Sequence, residues 1–271
     1  MPAAAVDRDY LESLLRDRKL DHTLWGLTPL LARGSDPMHG GSDPTRWLVP
    51  TGIPELDTRL EGGLPRGHLS EVIGPRSSGR LAILVSALAG ATSRGEAVAL
   101  IDPLDMFDPV SASAIFRRAH GYPDHSPGTT GADFQRMLWI RGESSSSARV
   151  SLSSEYGTLQ KSLDRAVKAL NIVLQAGGFG LVVLDLGAVA AQTIKRLPYT
   201  TWLRLQRVIE GSETACVLIG SEPIARSSGG VTVQLATGAR LQAPGLNARV
   251  IRARKVENDQ YVRVPLSAAA C

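Results

Sequence analysis

The residues with the clearest chemical potential lie in the octapeptide GPRSSGRL. It follows a strand-like run, LSEVI at 69–73, and precedes a helix-like run, AILVSALAGA at 82–91. A strand, a loop bounded by two glycines and a helix form the setting of a phosphate-binding P-loop, written G-x-x-x-x-G-K-[ST]. The sequence therefore predicts a degenerate nucleotide-binding loop made of Gly74, Pro75, Arg76, Ser77, Ser78, Gly79, Arg80 and Leu81.

Two residues of this loop differ from those of a working P-loop. The usual lysine neutralises phosphate charge and the usual hydroxyl holds magnesium, but these positions carry Arg80 and Leu81. Arg80 keeps a positive charge as a planar fork, whereas Leu81 has no oxygen to offer a metal. The glycines and the helix N-terminus could still bind an anion through backbone N–H groups. We expect no cofactor, although the loop could bind ATP without hydrolysing it.

Strand-like and helix-like patterns alternate around this loop. The apolar runs that predict strands are 69–73, 97–102, 181–185, 215–220, 231–236 and 248–256, and the helical patterns are 80–93, 111–119, 158–176 and 199–210. This alternation predicts an α/β fold with a mostly parallel sheet and helices on both faces. The runs VTVQLATGARLQA and ARVIRARKVENDQYVRVPL look like hairpins, the second turning at Glu257-Asn258-Asp259, so antiparallel strands should end the sheet.

Three segments are expected along the chain. They are an N-terminal helical segment at 1–31, a flexible linker rich in Gly, Pro, Ser and Asp at 32–47, and a core at 48–271. Residues 6–25 show the three- and four-residue spacing of an amphipathic helix. Its apolar stripe gives the candidate partner-binding residues Val6, Tyr10 and Leu14. This helix could instead fold back on its own core.

The composition is that of a soluble globular protein. Hydrophobic residues make up 43% of the chain and charged residues 21%, and the net charge of +4 does not demand a nucleic-acid partner. Two cysteines argue against a disulfide framework or a zinc site. No signal peptide opens the sequence and no stretch is long and apolar enough to span a membrane, so we predict a cytoplasmic protein.

Residues 50–80 read PTGIPELDTRLEGGLPRGHLSEVIGPRSSGR, and this stretch resembles the start of the RecA-type ATPase core. Three later stretches resemble further segments of that core in the same order: IDPLDMFDP at 101–109, LVVLDLGAVAA at 181–191 and GGVTVQLATGARLQ at 229–242. The form PTGIP.LD…GGLPRG..SEV is most similar to ImuA, a family of RecA-like accessory proteins. The resemblance implies a RecA-like P-loop NTPase core, with Asp185 at the Walker B aspartate position.

The resemblance also implies that groups needed for ATP hydrolysis have been replaced. The glutamate that polarises the attacking water in RecA-type enzymes falls at Leu104, with Asp105 next to it, and the sensor glutamine falls at Ser221. Loss of a water-positioning group costs ~10²–10⁴-fold in rate. Together with Leu81 at the magnesium-holding position, these losses predict a degenerate ATPase that is not an enzyme.

By the resemblance, the function expected is that of a non-catalytic adaptor in DNA damage tolerance, within SOS-induced translesion synthesis. It implies an ImuB-like polymerase homologue as partner, with RecA and an error-prone DNA polymerase as further partners. Direct DNA contact should be weak or indirect. The candidate DNA or partner contacts are the basic residues Lys195, Arg196, Arg226, Arg252, Arg254 and Lys255.

Two other functions stay open at this point. One is a divergent DNA-dependent ATPase or recombinase that uses Arg80 with Asp105 or Asp108 in altered roles. The other is a cell-division inhibitor, because the ImuA family is also described as SulA-like in places. No residue of the sequence speaks for that inhibitor.

Overall fold

A computed structural model describes residues 24–25, 47–113, 132–142, 152–225, 229–236, 245–252 and 262–265. A single sheet of nine strands organises these residues. Its strands are β1 (Leu24–Trp25), β4 (Leu69–Ile73), β5 (Ala97–Asp102), β6 (Met137–Arg141), β7 (Phe179–Asp185), β8 (Ala215–Gly220), β9 (Thr232–Ala236), β10 (Gly245–Arg252) and β11 (Val262–Pro265). A separate hairpin joins β2 (Leu48–Val49) to β3 (Leu64–Pro65).

The strand order is β1-β6-β5-β7-β8-β4-β9-β10-β11. The six strands from β6 to β9 in that order pair in parallel, and β1, β10 and β11 pair antiparallel to their neighbours. Every residue of β4 and β8 is buried, as expected of parallel strands covered on both faces. The predicted α/β fold with antiparallel strands at its C-terminal end is thus confirmed, and it is consistent with a RecA-like fold.

Helices cover both faces of the sheet. They are α1 (Pro54–Arg59), α2 (Arg80–Ser93), α3 (Leu152–Ala176), α4 (Ala191–Ile194) and α5 (Tyr199–Ile209). Apolar residues of α2 pack into one core, and those of α3 and α5 pack into the other. Residues of β4 and β7 pack in these two cores, and the candidate site lies where these two strands end. Within the described ranges, no helix combines the length and apolar character needed to cross a bilayer.

The edge of the sheet formed by β1 and β6 differs from the prediction in two places. Strand β6 was not predicted, because MLWIR is a short run of five residues without alternation. The helix predicted over 6–25 is wrong at its end, since Leu24 and Trp25 form β1 and pair with Ile140 and Trp139. Pairing with the sheet overrides the local helical pattern there. The rest of that predicted helix lies outside the described residues.

Of the two predicted C-terminal hairpins, the pairing of the second is present as β10 with β11, whereas the first is wrong. Strand β9 pairs with β10, so that Ala236 lies opposite Asn247, rather than with the residues directly after it. Strand β10 pairs in turn with β11, with Ala248 opposite Val262. The register of the pairing between β9 and β10 shifts at a bulge between Val250 and Arg252. The predicted turn at 257–259 lies outside the described residues.

Candidate functional site

The loop between β4 and α2 lies between a strand and a helix, in the setting predicted for a P-loop. Ser77 has φ 60° and Gly79, the N-cap of α2, has φ 97°, so both residues are left-handed. Left-handed residues in such a loop turn backbone N–H groups toward one side, as in anion-binding nests. A Cβ on Gly74 would lie 2.7 Å from both the Leu235 carbonyl oxygen and Ser78 Oγ, which explains the first glycine. The predicted strand, loop and helix are therefore all present.

Leu81, the residue after Arg80, has no side-chain atom that can bind a metal ion. Leu81 stands where a working P-loop has a hydroxyl, and its apolar side chain is 37% exposed. The part of the chain that the structure describes contains no group of three or more His, Cys, Asp or Glu residues placed to hold a metal ion. The donor set at this loop consequently does not fit the magnesium ion that P-loop enzymes use.

The side chain of Arg80 turns inward from the start of α2. Its Nη2 donates a hydrogen bond to the carbonyl oxygen of Gly187, two residues beyond the end of β7, at 3.1 Å. Burial lowers the pKa of Arg80, while attraction to Asp185 raises it and repulsion from Arg76 lowers it further. The partly buried guanidinium is thus engaged by the residues that follow β7.

Asp185 ends β7 on the same side of the sheet. Its Oδ1 accepts a hydrogen bond from the Gly187 N–H at 2.8 Å. Burial raises the pKa of Asp185, as does the nearby carboxyl group of Asp102, whereas the Gly187 hydrogen bond and Arg80 lower it. The predicted Walker B aspartate therefore lies beside the predicted P-loop. The cation that lowers its pKa is Arg80 of the same chain.

Asp105 is fixed by an arginine on the neighbouring strand. Arg141, at the end of β6, donates from Nε to Oδ1 at 2.7 Å and from Nη2 to Oδ2 at 2.8 Å. The same guanidinium lies 4.6 Å from the centroid of the Trp139 ring, which adds a cation–π contact. The pKa of Arg141 is raised, chiefly by the hydrogen bonds to Asp105. Both carboxyl oxygens of Asp105 are therefore used inside the protein.

The turn that carries Leu104 is held by Asp102. Its two carboxyl oxygens accept N–H hydrogen bonds from Met106 at 3.0 Å and from Phe107 at 2.8 Å. Leu104 is partly buried and packs against the core formed by α3 and α5. At the predicted place of the water-polarising glutamate, the chain thus has an apolar side chain directed into the core.

Asp108 caps the helical turn that begins at Pro109. Its carboxyl group accepts hydrogen bonds from the N–H of Val110 at 3.0 Å and from the N–H of Ser111 at 3.1 Å. The Ser111 hydroxyl also donates to it, and this bond is the largest cause that lowers the pKa of Asp108. These are the contacts of a helix N-cap, which accounts for this aspartate without a catalytic role.

Glu71 links the strand before the P-loop to the segment after β8. Its side chain is fully buried, and one carboxyl oxygen accepts from the N–H groups of Ile224 at 2.5 Å and Ala225 at 2.7 Å. The other oxygen accepts from the Thr232 hydroxyl at 3.1 Å. A charged residue type in the middle of the apolar run LSEVI was the sequence signal for such a role, and it was missed.

The remaining predicted contacts are only partly described. Lys195 forms an exposed ion pair with Glu222 at 2.6 Å, and Arg196 and Ser221 are exposed. Arg252 is placed only as a backbone position at the end of β10. The others lie outside the described residues: Val6, Tyr10, Leu14, Arg226, Arg254 and Lys255.

Comparisons with known proteins agree with this geometry. Residues 41–116 match the RecA N-terminal domain. The chain is similar to the RecA proteins of Parasynechococcus marenigrum (33% identical over 42% of this chain), Frankia casuarinae (36% over 39%) and Salinispora tropica (39% over 37%). The match covers only 31%, 31% and 29% of those three relatives. Over this part of its length the chain is similar to RecA, and it spans about a third of the length of these relatives.

Proposed function

We propose that this chain is a RecA-like adaptor of DNA damage tolerance that does not turn over ATP. In this role it binds an ImuB-like polymerase homologue, and through it assists an error-prone DNA polymerase in translesion synthesis. The RecA similarity supports a DNA-repair setting in general terms. The narrower role rests on the ImuA-like form of residues 50–73.

The observation that carries the proposal is the arrangement of Asp105. The alternative ATPase needs this carboxyl group, or that of Asp108, to position a water molecule. Asp105 instead accepts two hydrogen bonds from Arg141, and Asp108 caps a helical turn. Leu104 packs against the core, and each carboxyl group of the 102–108 segment is already hydrogen-bonded within the protein, which leaves no unengaged carboxyl group for general-base chemistry. This supports an adaptor over an enzyme.

The partner contact is proposed for the apolar stripe of the N-terminal segment. Replacing Val6, Tyr10 and Leu14 by serine is expected to weaken binding to a purified ImuB-like protein by at least about tenfold. The reason is that burying one large apolar side chain contributes about 1.5–3 kcal/mol. Binding is measured by calorimetry, and the melting temperature of the variant should stay unchanged.

The matched control replaces Arg8 and Glu12, which lie between the stripe residues, by serine, and it should bind normally. A fall in melting temperature of the stripe variant would mean that the segment packs on its own core, and would contradict the proposed contact. Capture of the division tubulin homologue in place of the ImuB-like protein would favour the cell-division inhibitor instead.

A further inference from the structure

We propose that the guanidinium of Arg80 is a built-in cation that takes the place of the divalent metal at this P-loop. A fixed side chain, rather than an exchangeable ion, then compensates the carboxyl group of Asp185. The inference rests on the proposed function, because it describes a P-loop that no longer serves nucleotide turnover.

The positions of three residues carry the inference. Arg80 Nη2 donates to the Gly187 carbonyl oxygen at 3.1 Å, and the Gly187 N–H donates to Asp185 Oδ1 at 2.8 Å. A Cβ built on Gly187 would lie 2.9 Å from Asp185 Oδ1 and 3.2 Å from Arg80 Cζ. The cation and the carboxyl group therefore lie on the same side of Gly187, and its backbone bridges them.

The donors at this point exclude the usual metal chemistry. Magnesium takes six oxygen ligands at about 2.0–2.1 Å in near-ideal octahedral geometry. The loop presents Leu81 in place of the hydroxyl oxygen, and a guanidinium offers only N–H donors and no acceptor. These residues do not supply the ligands of a metal site, and a built-in cation in place of the metal accounts for this difference.

The hydrogen bonding of the Arg80 guanidinium indicates that this group acts through its positive charge. Arg80 Nη1 is buried and has no hydrogen-bond partner, although a buried donor without a partner destabilises a fold. A side chain placed only for hydrogen bonding would not leave this donor unused. Arginine also stays charged when partly buried, whereas lysine readily loses its proton under burial.

The test is a double-mutant cycle in magnesium-free buffer without nucleotide. Arg80→Gln is expected to lower the melting temperature by about 3–6 °C, because it leaves Asp185 without its cation. In an Asp185→Asn background the same substitution should have a much smaller effect. Arg204→Gln, which removes an exposed guanidinium from α5, is the control and should change little.

Two further readouts separate charge compensation from simple packing. Millimolar magnesium should leave the melting temperature of the natural chain unchanged, because Leu81 offers the ion no ligand and Arg80 already compensates Asp185. Gly187→Ala displaces the Asp185 carboxyl group and the Arg80 guanidinium without removing either charge, since its Cβ would lie 2.9 Å from Asp185 Oδ1 and 3.2 Å from Arg80 Cζ. Its effect should not add to that of Arg80→Gln.

Additive effects of Arg80→Gln and Asp185→Asn, or a magnesium-dependent rise in the melting temperature of the natural chain, would overturn the inference. Because no nucleotide is present, these results are independent of ATP turnover. Hydrolysis by the natural chain would overturn the proposed function, and the cycle would still report on the built-in cation.

Discussion

Glu71→Ala is expected to lower the free energy of unfolding by about 3–5 kcal/mol, among the largest effects of any single substitution in this chain. The carboxyl group of Glu71 accepts hydrogen bonds from the N–H groups of Ile224 and Ala225 and from the Thr232 hydroxyl. Its removal leaves these donors buried, and each buried donor without a partner costs about 1–3 kcal/mol. Denaturant unfolding followed by circular dichroism measures the loss.

The position of Glu71 explains why the loss of stability in Glu71→Ala should extend to neighbouring segments. It lies in β4 between Leu218 of β8 and Thr232 of β9, three residues before the P-loop. The segment from 221 to 225 is tied to β4 through this one side chain as well as through the strand ladder. We therefore expect Glu71→Ala also to increase hydrogen exchange at Ile224 and Ala225.

Glu71→Gln is the matched test of this explanation. Its amide oxygen can still accept from Ile224 and Ala225, and its amide N–H can donate to the Thr232 hydroxyl, so most of the stability should be kept. Glu210→Ala, at the exposed position that follows the last residue of α5, should change stability by less than about 0.5 kcal/mol. Equal losses for the alanine and glutamine variants would contradict the hydrogen-bond account.

The double variant Arg80→Lys/Leu81→Thr is expected to bind ATP with magnesium at least about tenfold more tightly than the natural chain. Lysine supplies a compact ammonium for the phosphates, and threonine supplies the hydroxyl that holds the metal. The loop that receives them already has the required backbone, with Ser77 and Gly79 in left-handed conformations. Calorimetry with and without magnesium measures the gain.

This variant should bind nucleotide without hydrolysing it. Neither substitution alters the Asp105–Arg141 pair or returns a carboxyl group to position 104. Leu81→Thr alone is the control, because its metal-holding hydroxyl would still face the guanidinium of Arg80. If the double variant folds but its affinity for ATP is unchanged, the view that Arg80 and Leu81 are what prevents nucleotide binding would be contradicted.

Local patterns were enough to predict the elements that build the site. The bounds of α2 agree with the prediction because Gly79 gives the helix a clear start and the apolar residues continue without interruption. Strand β4 and the end of β7 were likewise predicted, from the strand-like runs LSEVI at 69–73 and LVVLD at 181–185. The P-loop and Asp185 could therefore be placed at one edge of the sheet from their positions alone.

The contacts that decide the chemistry could not be predicted. The Arg80–Gly187 hydrogen bond joins residues 107 positions apart, and the Asp105–Arg141 pair joins residues 36 positions apart. Residue spacing does not determine where a long arginine side chain ends. Strand β6 was missed, and so the partner of Asp105 was missed with it. Glu71 was overlooked because the prediction treated its strand as uniformly apolar.

Phosphate release from ATP by the natural chain, with magnesium and single-stranded DNA, tests the central claim most directly. The account predicts release no faster than that from an Arg80→Ala variant purified in the same way. Release that requires magnesium, is stimulated by DNA and disappears in Arg80→Ala would contradict the account and identify the chain as a divergent ATPase.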